Sequence, residues 1–200
     1  MERFLFLGDS LTACGRNQAR QATDLGGGFV KILQEHFNQE NRAITCINKA
    51  YKGAKLGHVY QDVHRQLPEL KPIHRVSLLA GVNDVWYERE RSASAWAAYT
   101  QQWTQTYLKL LEALDDKLNQ PQWLLMEPIA NFQKPQLAER LVSLQEAWQQ
   151  IPQQPRRTKL ALAATFKREP ELYFSKDHIH LSKEGQALLT QEIEAVLKLS

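Results

Sequence analysis

Near its N-terminus the chain contains Phe4-Leu5-Phe6-Leu7-Gly8-Asp9-Ser10-Leu11, an apolar run that ends at a glycine, an acid and a serine. A short, uniformly apolar run of this kind is typical of a buried strand in a parallel sheet. In open α/β sheets, ligands bind at the carboxyl ends of the strands, which is where Ser10 would lie. The stretch therefore predicts a first strand and makes Ser10 a candidate nucleophile.

Length and composition predict one globular domain over residues 1–200. The chain has 200 residues, 43% of them hydrophobic, which is enough for a sizeable core. Its 25 basic and 22 acidic residues give a formal net charge of +3, and no window concentrates the basic residues as a nucleic-acid surface would. We therefore expect no nucleic-acid partner, and the composition leaves the oligomeric state open.

The N-terminal apolar run is too short for a secretory signal, because Gly8 and Asp9 interrupt it. No stretch approaches the roughly 20 apolar residues that span a bilayer, so we expect no membrane insertion. The two cysteines, Cys14 and Cys46, favour reduced thiols over a disulfide in such a chain. These features predict a cytoplasmic protein.

Four more strands are predicted along the chain, separated by amphipathic helices. The strands cover residues 43–47, 75–80, 123–126 and 159–163. Apolar residues at helical spacing predict the helices between them, at residues 29–37, 56–67, 94–118 and 137–148. Pro68 is predicted to stop the second of these helices, and Ser182 to cap a last helix that reaches Leu197. The alternation predicts an α/β fold, a three-layer α/β/α sandwich around a five-stranded parallel sheet with the flavodoxin-like order 2-1-3-4-5.

The partners that a serine nucleophile requires occur directly after other predicted strands. A serine hydroxyl needs a histidine to take its proton, an acid to orient that histidine, and donors for the oxyanion. Gly53 follows the second strand, Asn83 the third, and Asp177 with His180 the fifth. With the order 2-1-3-4-5, the ends of the first three strands are neighbours. Gly53 and Asn83 would then flank Ser10, and we expect an oxyanion hole there.

The segment between the fifth strand and His180 must cross the sheet. The fifth strand would lie three positions from the first, at a distance of roughly 14 Å. Residues 165–179 form a loop long enough to carry His180 back to Ser10. Asp177, three residues before His180, can share one side of a tight turn with it. Its carboxylate would then accept from one ring nitrogen while the other nitrogen faces Ser10.

Four short motifs, in order along the chain, resemble those of the SGNH hydrolases, also called GDSL esterases. They are Gly8-Asp9-Ser10-Leu11, Gly53, Gly81-Val82-Asn83-Asp84 and Asp177-His178-Ile179-His180. The first motif alone is weakly specific, but the ordered set is strongly specific and spans nearly the whole chain. Two of the four motifs depart from the family pattern. Lys49 and Lys52 precede Gly53 where small side chains are usual, and His178 stands where many members have glycine.

The resemblance implies a carboxylic ester hydrolase and a role for each motif. Ser10 would be the nucleophile, His180 the general base and Asp177 its orienter. The Ser10 and Gly53 amides and the Asn83 side chain would form the oxyanion hole. The implied substrates are small-molecule short-chain acyl esters, O-acetylated carbohydrates first, and no cofactor is needed. A lysophospholipase or thioesterase, or an acyltransferase on the same fold, are alternatives.

Other motifs favour structural roles. His178 and His180 form a His-x-His pair, but no third ligand has a suitable spacing, so no metal site is predicted. The run Gly26-Gly27-Gly28 lacks the lysine and spacing of a P-loop, which favours a flexible loop or a helix cap. The Gly-x-Ser-x-Gly elbow is absent, which argues against the α/β-hydrolase fold.

The side chains next to the motifs also have structural interpretations. Trp86 and Tyr87 follow Asn83 and are candidate substrate-binding residues that could stack on a sugar ring or an acyl chain, but packing explains them equally well. Asp9 is predicted to hold the turn before Ser10 by accepting hydrogen bonds from backbone amides, outside the catalytic set.

Overall fold

The strands in the described part of the chain form one parallel sheet. In the computed structural model, which describes residues 1–17, 23–66 and 72–199, the strands are β1 (Glu2–Gly8), β2 (Ile44–Asn48), β3 (Arg75–Leu79), β4 (Gln122–Met126) and β5 (Arg157–Leu160). Their order is β2-β1-β3-β4-β5, and each neighbouring pair is parallel. The predicted α/β fold class and strand order are confirmed.

Helices cover both faces of this sheet. They are α1 (Ser10–Ala13), α2 (Phe29–Gln39), α3 (Leu56–Gln66), α4 (Val82–Tyr87), α5 (Ala93–Leu118), α6 (Pro135–Gln149), α7 (Ala163–Phe166), α8 (Pro170–Tyr173) and α9 (Lys183–Leu199). Helix α2 packs against α9, whereas α5 packs against α3 and α6. Right-handed crossovers place these two groups on opposite faces, which makes the three-layer sandwich. The predicted end of the helix from Leu56, at Leu67 and Pro68, lies outside the described residues.

Strand β1 lies at the centre of the core. Phe4, Leu5 and Phe6 have no exposed surface, and helices cover the strand on both faces. The strand pairs with β2 on one side and with β3 on the other. Each fully buried side chain of this size contributes about 1.5–3 kcal/mol to folding. A uniformly apolar run is therefore what this inner position requires.

Helix α5 is the longest helix of the described chain, with 26 residues. Its aromatic residues Trp96, Trp103 and Tyr107 are buried, as their helical spacing predicted. The opposite face of the helix is polar and exposed to solvent. Among the described residues, no helix is both long and apolar enough to cross a membrane.

The fifth strand ends earlier than predicted. The apolar run at residues 159–163 predicted a strand, but β5 ends at Leu160. The buried Glu127 carboxylate accepts the amide hydrogens of Leu162 and Ala163, each at 2.7 Å. Because these amides no longer pair with a neighbouring strand, the chain leaves the sheet and begins α7.

Candidate active site

A sharp turn holds Ser10 at the carboxyl end of β1. Gly8 has a φ of 151°, and a Cβ there would lie 2.2 Å from the carbonyl oxygen of Leu79 in β3, so only glycine fits. Asp9 then caps α1, and its Oδ1 accepts from the Leu11 amide at 2.9 Å. This contact agrees with the predicted role of Asp9 in the turn. Ser10 is the first residue of α1.

Ser10, His180 and Asp177 form a continuous chain of hydrogen bonds. His180 Nε2 lies 2.9 Å from Ser10 Oγ, although 170 positions separate the two residues. On the other side of the ring, His180 Nδ1 lies 2.6 Å from Asp177 Oδ2. The fold thus brings together the three residues predicted to act as nucleophile, base and orienter. This is the spacing that proton transfer from a serine to a histidine requires.

The surroundings of Asp177 favour its ionised form. Partial burial opposes ionisation, but the hydrogen bond from His180 and those from the amides of His180 and Ile179 lower the pKa of Asp177 below its usual value. An ionised carboxylate only accepts hydrogen bonds, so His180 Nδ1 must carry the proton. His180 Nε2 is then free to accept from Ser10 Oγ.

A tight turn after α8 presents His180. The predicted loop at residues 165–179 contains the end of α7 and the whole of α8, and the bridge between Phe174 and Leu181 closes the turn that follows. Within it, the Ser175 amide and hydroxyl both donate to the His180 carbonyl oxygen, at 2.7 and 2.8 Å. These bonds fix the backbone of His180 above the sheet.

His178 occupies a backbone conformation that glycine adopts more easily. Its φ is 59°, in the left-handed region. Its carbonyl oxygen accepts from the Asn131 amide at 2.8 Å, and its ring lies 3.4 Å from Gln133 Nε2. His178 therefore anchors the turn to the connection between β4 and α6, and its ring is turned toward that connection.

The fold also brings Gly53 and Asn83 together. Gly53 lies in a turn after β2, with a φ of 79°, and Asn83 lies in the first turn of α4. The Asn83 side-chain amide donates to the Ala54 carbonyl oxygen at 3.1 Å. An amide group has a second hydrogen, which this bond leaves available. Within the described residues, neither Gly53 nor Asn83 hydrogen-bonds to Ser10, so their predicted oxyanion role depends on a bound substrate.

A groove of about 410 Å³ opens beside Ser10. We call it the Ser10 groove. The described residues that line it are Ser10, Leu11, Ala13, Cys14, Gly15, Arg16, Lys52, His180, Leu181 and Gln186. It is large enough for a small ester and is open to solvent on one side.

A family model described as GDSL-like lipase/acylhydrolase matches residues 6–188 of the chain. The protein belongs to this GDSL-like lipase/acylhydrolase family. It is therefore a carboxylic ester hydrolase, as the ordered motifs predicted. No curated protein sequence matches the chain significantly.

Solved structures of other proteins share the fold of this GDSL-like hydrolase. A lipase from a goat rumen metagenome is 18% identical with a TM-score of 0.80, and the match covers 98% of this chain and 97% of that one. A protein from Parabacteroides merdae described as a GDSL-like lipase is 18% identical with a TM-score of 0.83, covering 100% and 96%. An acetylxylan esterase from Geobacillus stearothermophilus is 22% identical with a TM-score of 0.76, covering 96% and 92%. At these identities the likeness shows the fold.

Two buried polar residues of the hydrolase hold the loops around Ser10, and their roles were not predicted. Asn48 has no exposed surface, and its side-chain amide donates to the carbonyl oxygens of Thr12 and Leu25, at 2.9 and 2.8 Å. Asp84 accepts from the Leu56 amide at 3.1 Å and from the Tyr99 hydroxyl at 2.7 Å. The role of Asn48 could have been predicted from its position as a polar residue at the end of a strand. The role of Asp84 could have been predicted from its position next to Asn83.

Trp86 and Tyr87 are surface residues of the hydrolase. Their exposed fractions are 36% and 55%, and the Trp86 ring stacks on Phe132 with centroids 6.3 Å apart. The Tyr87 hydroxyl lies 3.5 Å from the point that a Cβ on Gly53 would occupy. Tyr87 therefore lies next to the Gly53 turn, whereas Trp86 packs against the connection between β4 and α6.

The glycine run of the hydrolase has a structural role at the start of α2. Gly28 is the N-cap residue of that helix, and the Phe29 amide donates to Gln186 Oε1 at 2.8 Å. A Cβ on Gly28 would lie 2.6 Å from both Cys14 Cβ and Gln186 Oε1. In the described ranges, no group of three His, Cys, Asp or Glu side chains is arranged to hold a metal ion.

Burial perturbs the carboxyl group next to Ser10. Asp9 is 1% exposed, and its Oδ2 has no hydrogen-bond partner among the described residues. Burial, together with the nearby charge of Asp84, raises the pKa of Asp9 from 3.8 to about 7. Asp84 is buried as well, and this raises its pKa to about 6. Ionisation of these groups therefore opposes folding.

We expect Asp9→Asn to change how the stability of the hydrolase depends on pH. Because the pKa of Asp9 is raised in the native state, the native protein binds a proton that the unfolded chain has lost between pH 3.8 and about 7. Stability falls as pH rises through that window. Asparagine keeps the acceptor for Leu11 but cannot ionise. From pH 5 to pH 8 the variant should lose about 1–3 kcal/mol less unfolding free energy than the wild type.

Urea unfolding at several pH values measures this difference. Asp116→Asn is the matched control, since it removes a solvent-exposed carboxyl group from α5. Its unfolding free energy should depend on pH as that of the wild type does. Parallel curves for the wild type and Asp9→Asn would show that the Asp9 carboxyl does not titrate in this range.

Proposed function

We propose that the protein is a serine esterase that hydrolyses short-chain acyl esters, O-acetyl esters of carbohydrates first, through an acyl-enzyme on Ser10. The observation that carries this proposal is the hydrogen-bonded chain from Ser10 Oγ through both ring nitrogens of His180 to Asp177. Membership of the GDSL-like lipase/acylhydrolase family supports the ester class.

The first half of the reaction acylates Ser10. Its Oγ attacks the ester carbonyl carbon while His180 Nε2 takes the hydroxyl proton. Asp177 stabilises the imidazolium that forms. The tetrahedral intermediate then collapses, the bond to the alcohol oxygen breaks, and the His180 proton passes to that oxygen. The alcohol leaves, and the acyl group stays on Ser10.

The second half of the reaction releases the acid. A water molecule gives a proton to His180 Nε2 and attacks the acyl carbonyl carbon. When the second intermediate collapses, His180 returns the proton to Ser10 Oγ. The product is the free carboxylic acid, and the enzyme regains its starting state without a cofactor.

Three groups are suited to stabilise the oxyanion in both intermediates. The Ser10 amide belongs to the first turn of α1, where helical amides have no carbonyl partner within the helix. The second hydrogen of the Asn83 side-chain amide and the Gly53 amide complete the set. Each such donor typically contributes about 2.7–4 kcal/mol of transition-state stabilisation.

The polar wall of the Ser10 groove supports a small acyl group. Arg16, Lys52 and Gln186 line the groove beside Ser10. The alcohol part of the ester would occupy this groove, so a long acyl chain would compete with it there and would desolvate these groups without giving them new partners. A carbohydrate alcohol suits the same groove, since its hydroxyl groups can hydrogen-bond to Arg16, Lys52 and Gln186. One structural neighbour is an acetylxylan esterase, which is consistent with this class.

An acyl-length series tests the substrate class. We expect kcat/KM for 4-nitrophenyl esters to fall about tenfold or more from acetyl to octanoyl, with butyryl between them, because a longer chain meets polar surface. An octanoyl ester that is hydrolysed fastest would contradict the proposal and favour a lysophospholipase or thioesterase. Analysis of the products with a polyol present separates hydrolysis from acyl transfer.

A further inference from the structure

The Ser10 groove has a positively charged wall. Among its described lining residues, the charged ones at neutral pH are Arg16 and Lys52, and none carries a carboxylate. The two cations come from different parts of the chain, since Arg16 follows α1 and Lys52 lies in the turn between β2 and α3. The fold therefore places two positive charges beside the same nucleophile.

Backbone contacts hold Arg16 in this wall. Its Nε donates to the Asp24 carbonyl oxygen at 3.0 Å, and its Nη1 donates to the Ala50 carbonyl oxygen at 3.3 Å. These bonds tie the segment after α1 to the turn that contains Lys52. The Asp24 carboxylate is close enough to Arg16 to offset part of its charge. Arg16 is thus a fixed donor with a partly compensated charge.

The charge of Lys52 is less offset by nearby carboxylates than the charge of Arg16. It is exposed and stands directly before Gly53. Within the described residues, no acidic side chain pairs with Lys52 and no hydrogen bond holds its ammonium group. Lys55, three residues later, contrasts with it, because its Nζ lies 2.9 Å from Glu88 Oε1. An ammonium group with no protein partner in a groove is available to an anion.

The chemistry of the reaction places the alcohol part of the substrate in this groove. The carbonyl oxygen of the ester must point toward the Gly53 and Asn83 donors, which are not among the described lining residues of the Ser10 groove. The leaving oxygen must lie near His180, which does line it, because His180 protonates that oxygen. The alcohol therefore extends past His180 along the wall formed by Lys52 and Arg16.

We propose that the alcohol part of the natural ester carries an anionic group, a carboxylate or a phosphate, that binds to Lys52 and Arg16. This inference rests on the proposed esterase function and narrows its substrate class to acyl esters of acidic alcohols, such as an acidic saccharide. Lys52 acts as a specificity residue through charge attraction, and Arg16 adds directional donors.

The test compares charged and neutral esters that share one shape. The substrates are 4-acetoxybenzoate, 4-acetoxyphenyl phosphate and the uncharged 4-acetoxybenzamide. The quantity measured is kcat/KM for hydrolysis of each anionic ester, divided by kcat/KM for the uncharged ester 4-acetoxybenzamide. We expect this ratio to fall about two- to fivefold in Lys52→Gln, the range for exposed charge pairs, and to recover in Lys52→Arg. It should also fall as salt is added.

Lys49→Gln is the matched control, since it removes the same charge three residues away and Lys49 lines a different, smaller cavity. Its ratio should equal that of the wild type. The ester with the larger loss in Lys52→Gln identifies the preferred group, carboxylate or phosphate. An unchanged ratio in Lys52→Gln for both anionic esters overturns the inference. The esterase function still holds in that case if hydrolysis of the uncharged ester, 4-acetoxybenzamide, depends on Ser10. Wild-type rates in Ser10→Ala would overturn the esterase function itself.

Discussion

Ser10→Ala should lower kcat for 4-nitrophenyl acetate by about four to six orders of magnitude. Alanine has no oxygen to form the acyl-enzyme, so the variant retains only the weak catalysis that binding and the oxyanion donors provide. The change should cost less than about 1 kcal/mol of unfolding free energy, because the hydroxyl makes one hydrogen bond, to His180, at a partly exposed position. Steady-state kinetics and urea unfolding measure the two effects.

Ser94→Ala is the matched control for this prediction. Ser94 is an exposed serine in the first turn of α5, and the variant should have wild-type rates. If Ser10→Ala keeps activity within about tenfold of the wild type while remaining folded, Ser10 is not the nucleophile.

The second large effect is expected for His180→Ala. This variant should also lose about four to six orders of magnitude in kcat, because no other described group lies within hydrogen-bond distance of Ser10 Oγ to take its proton. Residues that act in one step are not additive. The double variant Ser10→Ala/His180→Ala should therefore be no slower than either single variant, and losses that multiply would show that the two residues act in separate steps.

Asp177→Asn tests the third member of the chain. Asparagine can still accept from the amides of Ile179 and His180 but carries no charge to hold the His180 tautomer. We expect a loss of about two to four orders of magnitude, smaller than for His180→Ala, since the Asp177 side chain is half exposed and water can replace part of its effect. A loss below about threefold would replace the triad by a Ser10–His180 dyad.

The sheet and the main contacts of the site were predictable because each depends on a local pattern. Strand β1 is buried on both faces, so its apolar run identifies it without knowledge of its neighbours. Ser10, Asn83 and Gly53 follow strands closely, and parallel strands bring their ends to one edge. The hydrogen bonds between Ser10, His180 and Asp177 agree with the geometry predicted from their order in the chain.

Other features depend on contacts that no local pattern reveals. The end of β5 is set by Glu127, whose carboxylate accepts a hydrogen bond from the Leu162 amide, 35 residues later in the chain. Gln186 caps α2 from a position 157 residues away. The left-handed conformation of His178 is uncommon for a residue other than glycine and depends on the turn around it. The proximity of Arg16 to the Lys52 turn similarly arises only when the loops meet.

Labelling with a fluorophosphonate probe tests whether Ser10 Oγ becomes the acyl carrier. The probe forms a stable phosphonyl bond with a serine that has an activating base, and His180 Nε2 lies within hydrogen-bond distance of Ser10 Oγ. Mass spectrometry of the labelled protein should find one adduct, on Ser10, with loss of esterase activity in proportion to labelling and slow labelling of His180→Ala. An adduct on a different side chain, or full esterase activity after complete labelling of Ser10, would show that Ser10 Oγ is not the acyl carrier.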